Sequence, residues 1–130
     1  MKLQPIMFTL ALIVCISLAA QAQSSSIAGA WKSEVPAGEE GQMVPVKLLI
    51  SEDGTYTVDF GMDGVVEIKG HYSIEGNRLT VQDDAYGENP CTGKGVYTFS
   101  VDAANFSANR ISDECENRGG PDGKMSFARM

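Results

Sequence analysis

The stretch Val66-Glu67-Ile68-Lys69-Gly70-His71-Tyr72-Ser73-Ile74-Glu75 decides the fold class. Even positions are apolar or glycine and odd positions are polar. A period of two describes a strand with one dry face and one wet face. A helix would scatter these residues around its circumference, and Gly70 would weaken it. The same alternation recurs at Val46, Leu48 and Ile50, at Tyr56, Val58 and Phe60, and at Leu79 and Val81. It returns at Tyr97, Phe99 and Val101, more weakly from Phe106 to Ile111, and at Met125 with Phe127. With the segment at Trp31 these make eight candidate strands.

Turn chemistry separates them. Asp53-Gly54, Asp63-Gly64, Gly76-Asn77 and Asp122-Gly123 are hairpin-type dipeptides, so consecutive strands are expected to be antiparallel neighbours. A flat meander of eight would leave two unpaired edges, and closure into an up-and-down barrel removes both. The expected fold is therefore all-β, an eight-stranded antiparallel barrel. Three segments share the form Gly-x-Tyr-(Thr/Ser)-apolar, at Gly54, Gly70 and Gly95. They read as strand tyrosines with glycines that ease curvature, or as tyrosines lining a pocket.

The chain has 130 residues, 43% hydrophobic and 21% charged, with a formal net charge of −7. That is one globular domain. The acidic balance argues against nucleic acid and anionic membrane surfaces as partners. Residues 1–22 read as a cleaved signal peptide: Lys2, an apolar run over residues 6–20, and a small-x-small end at Ala20-Gln21-Ala22. The run is shorter than the roughly 20 residues a spanning helix needs. Residues 23–130 would then be the barrel domain, secreted or periplasmic, not membrane-spanning and monomeric. A lipoprotein signal through Cys15 is the lesser alternative, because Val14 sits where a small residue is wanted.

Removing Cys15 leaves Cys91 and Cys115, an even count in an exported chain. They are equidistant from residue 103, inside the Asp102-Ala103-Ala104-Asn105 turn. Opposed hairpin residues bring their Cβ atoms to about 4.5–5.5 Å, so a disulfide is expected.

Gly29-Ala30-Trp31 stands just before the first strand, and Arg129 stands beside the last. Here the chain resembles the lipocalin-like members of the calycin superfamily. Their first strand carries Gly-x-Trp, with a basic residue near the last strand packed across the Trp. The segment Asp113-Glu114-Cys115-Glu116-Asn117-Arg118, with Phe127-Ala128-Arg129, is similar to small bacterial secreted proteins of this kind. The resemblance implies barrel closure through Gly29, Trp31 and Arg129, and carriage of a small apolar or amphipathic ligand. A barrel this short can also be filled by its own side chains and serve as a scaffold.

Little else carries chemistry. The single His, His71, lies on a polar face with Glu67, Lys69 and Ser73 and reads as exposed. No metal-ligand spacing, serine elbow or phosphate loop is present in the sequence, so neither enzymatic activity nor a cofactor is expected. Residues 83–89 offer Asp83, Asp84, Glu88 and Asn89 as hard oxygens for calcium, or as a solvated loop. Asp113 and Arg118 read as a structural ion pair. The candidate ligand-lining residues are the aromatics on apolar parity: Tyr56, Phe60, Tyr72, Tyr97 and Phe99. The rival reading is a protein-binding module, such as a protease inhibitor, acting through residues 36–42 and 85–92. An enzyme acting on lipids or cell-wall pieces is a further rival, and nothing in the sequence supplies its residues.

Overall fold

The computed structural model describes residues 26–36 and 39–130; the expected signal peptide lies outside them. Eight strands follow one another in order. They are β1 Gly29–Pro36, β2 Met43–Ile50, β3 Thr55–Phe60, β4 Ile68–Glu75, β5 Arg78–Asp83, β6 Lys94–Val101, β7 Asn105–Asp113 and β8 Lys124–Arg129. Each pairs antiparallel with the next, and β8 returns to β1 to close the barrel. A 3₁₀ turn at Glu39–Gly41 joins β1 to β2.

Cross-strand register sets which side chains point inward, since directly opposed residues share a face. Trp31 faces Leu48, Leu48 faces Val58, and Val58 faces Ile68. Tyr56 faces Gly70, and Gly70 faces Asp83. Leu79 faces Tyr97 and Tyr97 faces Arg110. The apolar parity of the sequence is thus the inner face. Strand β4 begins at Ile68 rather than Val66. Glu67 turns away to accept the Phe60 amide at 2.8 Å, while the buried Asp59 carboxylate caps the amides of Asp63 and Gly64.

Trp31, Phe99 and Phe127 pack around Phe106 at centroid separations of 5.5 to 6.3 Å. They close one end of the barrel. Trp31 is wholly buried and donates its indole N–H to the Ile27 carbonyl at 2.7 Å. Arg129 lies 4.1 Å from the Trp31 ring. Its remaining donors reach the carbonyls of Ala103, Ala28 and Ser26 at 3.0 to 3.2 Å. One side chain therefore ties the start of β1 to the β6–β7 turn. A Cβ on Gly29 would come within 2.8 Å of the Arg129 guanidinium, and φ there is +133°. Only glycine fits both demands.

Cys91 and Cys115 form a disulfide with their Cα atoms 6.0 Å apart. They are not the opposed hairpin pair that their spacing implied. Val101 pairs with Phe106, and after a bulge Gly95 pairs with Asp113. Both cysteines therefore lie beyond the strand ends, where the bond joins the segment before β6 to the segment after β7. A disulfide of this kind fits an extracellular or periplasmic chain.

Replacing Trp31 by Phe and Arg129 by Ala, singly and together, is expected to give non-additive losses. The coupling should be about 1–2 kcal/mol for a desolvated cation–π contact. Arg129→Ala alone should also shift Trp emission to the red. Additive losses with unchanged emission would show that the contact contributes nothing.

Candidate functional site

The end opposite Trp31 is termed the mouth, and each strand places one inward-facing residue there. Val35, Val44, Phe60, Ile68 and Met125 come from β1, β2, β3, β4 and β8. Asp83, Gly95 and Asp113 come from β5, β6 and β7. Five adjoining strands thus present apolar groups, and three present polar groups or none. Within the apolar sector Val35, Val44, Ile68 and Met125 are half-buried, and Phe60 keeps 37% of its surface exposed.

The polar sector is sealed by a network. Tyr56 donates its hydroxyl to Asp83, and Tyr97 donates to Asp113. Arg118 enters from the β7–β8 loop and joins the two halves, 3.1 Å from Asp113 and 3.5 Å from Asp83. It also donates to the carbonyls of Cys91 and Gly93 at 2.9 and 3.0 Å, across the disulfide. Arg110 donates to the carbonyls of Arg118 and Gly120 and pins that loop down. Two carboxylates and two guanidiniums balance in charge, which is the condition under which ions are tolerated away from water. One donor, Nε of Arg110, has no partner.

A bulge makes the network possible. Tyr97 pairs with Arg110 and Val96 with Ser112, so Ile111 is the extra residue. The insertion reverses parity along β7. Arg110 and Asp113 both turn inward as a result, while Ile111 is thrown out, 47% exposed. This accounts for the weak alternation of that segment.

Two glycines of the Gly-x-Tyr repeat now have a steric role. A Cβ on Gly70 would collide with the Tyr56 ring and stand 2.7 Å from the Gln82 carbonyl. A Cβ on Gly95 would stand 2.5 Å from the Asp113 carboxylate and 2.9 Å from Arg118. The glycines clear the volume that the network fills.

The aromatics singled out by parity therefore divide. Tyr56 and Tyr97 are buried in the polar network. Tyr72 donates to the Ser51 carbonyl near the closed end, where Phe99 joins the aromatic cluster. Phe60 alone of the five stands at the apolar rim. Asp113 and Arg118 do pair, but the reach of Arg118 to Asp83 was not foreseen. The signal for it was present, since Asp83 and Arg110 occupy apolar parity in their strands.

Residues 83–89 do not converge on a cation. Asp83 turns inward, while Asp84 pairs with the exposed His71 at 2.7 Å. Tyr86 lies 4.5 Å from the Lys69 ammonium, so this segment drapes over the outside of β4. Among the described residues, Asp59, Asp63 and Glu67 bring three carboxylates together. Of the rival binding loops, residues 37 and 38 lie outside the described residues.

Gly70→Ala is expected to destabilise the protein by roughly 1–3 kcal/mol through overpacking. In a Tyr56→Ala background, itself destabilised by loss of a buried side chain, the same Gly70 substitution should cost less. Simple additivity, measured by denaturant unfolding, would deny the steric account.

Burial, then the bond to Asp113, pushes the Tyr97 hydroxyl up to about 12. Burial and Asp83 raise Tyr56 further. Below the ordinary tyrosine value of about 10 both are protonated in the folded and unfolded chains, and the stabilisation is complete. Above it the unfolded chain releases its protons first, so stability falls as pH rises through about 12. Tyrosinate absorbance should show Tyr56 and Tyr97 titrating late, together with unfolding. Removal of the late component by Tyr56→Phe and Tyr97→Phe would assign it; four tyrosines ionising together near their ordinary value would refute the burial.

Comparison with protein-family models, curated proteins and solved structures finds no match to this chain. The closed barrel of eight antiparallel strands is compatible with a lipocalin-like fold.

Proposed function

We propose that this protein is a secreted or periplasmic, non-enzymatic, lipocalin-like barrel that binds a small amphipathic or apolar molecule at its mouth. The observation that carries the reading is the divided inner ring. Five strands offer exposed or half-buried apolar side chains, beside a sector of tyrosine, carboxylate and guanidinium groups. Ligand sites combine an apolar wall with a few fixed polar groups in this way. The hydrocarbon of a ligand would lie against Val35, Val44, Phe60 and Ile68, and its polar end would face Asp83 and Arg118. The site is read as one of binding rather than catalysis because Tyr56, Tyr97, Asp83, Asp113 and Arg118 are engaged with one another.

Calycin membership rests on Gly29, Trp31 and Arg129 and on the strand order. Export through a signal peptide cleaved after Ala22 agrees with the disulfide. Among the described residues no helix is long and apolar enough to cross a membrane. Monomeric behaviour is part of the same proposal.

The test is uptake of the neutral fluorophore N-phenyl-1-naphthylamine by the mature protein. Binding is expected, and Phe60→Ser should weaken it roughly fivefold, about 1 kcal/mol of lost apolar contact. Phe60 keeps 37% of its surface exposed, so that variant should lose about 1–2 kcal/mol and stay folded, with denaturant unfolding as the control. Absence of uptake, or equal uptake by Phe60→Ser, would move the function to the loops.

A further inference from the structure

The seam between the first and last strands is only partly closed. β2 runs along all eight residues of β1, whereas β8 bridges β1 at two positions, Trp31 with Arg129 and Lys32 with Ala128. Continuing that register would pair Glu34 with Ser126, but no such bridge forms. Instead the Ser33 hydroxyl donates to the Ser126 carbonyl at 2.7 Å, a side chain standing where a main-chain ladder would run. Pro36 has no N–H and cannot extend the ladder further. A groove of about 390 Å³ lies on this seam, lined by Lys32, Ser33, Glu34, Ser126, Phe127 and Ala128, with Asn105 beside it. Lys32, Glu34, Ser126 and Ala128 face outward, while Ser33 and Phe127 lie on inner parity. The groove is an open depression in the wall, and the inner-facing Ser33 and Phe127 contribute to its lining.

The rest of the rim is tighter. The β5–β7 side is held by the disulfide and by Arg110 and Arg118. The other seven strand pairs are joined over four to eight positions. The easiest place to part the wall is thus the lower β1–β8 seam. It adjoins the apolar sector of the mouth through Val35 and Met125. We infer that this seam is a lateral portal for an apolar ligand, with the Ser33–Ser126 bond as its latch. The inference rests on the proposed ligand-binding reading, and it assigns the route of entry.

Two measurements on the mature protein test it. Hydrogen exchange should show the Glu34 and Ser126 amides exchanging much faster than those of Lys32 and Ala128. Equal protection would overturn the portal whether or not any ligand binds. A Glu34→Cys, Ser126→Cys variant, its bridge verified by intact mass, should slow both association and dissociation of N-phenyl-1-naphthylamine about tenfold, with Kd unchanged. Unchanged rates would overturn the portal while leaving the binding reading intact. Failure of the wild-type protein to take up the fluorophore would overturn the binding reading, and the exchange result would still judge the seam.

Discussion

A sheet that closes on itself has to bring its first and last strands together, and here a guanidinium lying over an indole stands at that junction. The β1–β8 bridge is two residue pairs long. Arg129 reinforces it by covering the Trp31 ring and bonding three carbonyls from two separate segments. Beneath it Trp31 supports Phe106, and Phe106 supports Phe99 and Phe127. If this closure failed, the inner faces of β7 and β8 would meet water and the aromatic cluster would lose its wall. The residues that permit it are small: Gly29 makes room, and the turn at Ala103 supplies an acceptor.

The opposite end is organised by a different force. Burying Asp83, Asp113 and Arg118 costs desolvation that apolar residues of similar size would avoid. What the ions supply is specification of arrangement. Arg118 can meet both carboxylates only if the β7 bulge is in place and the loop is held by the disulfide. The network fixes one sector of the mouth and leaves the other sector apolar, and the proposed ligand binding draws on both sectors.

Strand order and inward parity were legible because period two is a direct consequence of the pleat. The disulfide was legible from cysteine count and compartment, although its position beyond the strands was not. That position depends on the bulge, and one inserted residue leaves no mark except a weakened alternation from Phe106 to Ile111. The polar network was only partly visible. The Asp113–Arg118 pair is local in sequence, whereas Asp83 and Tyr56 approach through the register of three strands. The charged residues on apolar parity were the clue, and alternation rules treat such residues as noise. Phe60 shows the converse: its parity is inward, yet its place at the rim leaves it exposed.

The proposed ligand surface lies on the β8 and β1–β4 side of the mouth. Methyl NMR of the mature protein titrated with N-phenyl-1-naphthylamine tests this most directly. Shifts are expected at the methyls of Val35, Val44, Val58, Ile68 and Met125, with Leu79 and Val101 unmoved. Shifts confined to the outward-facing Leu49 and Ile111, or none at all, would contradict it.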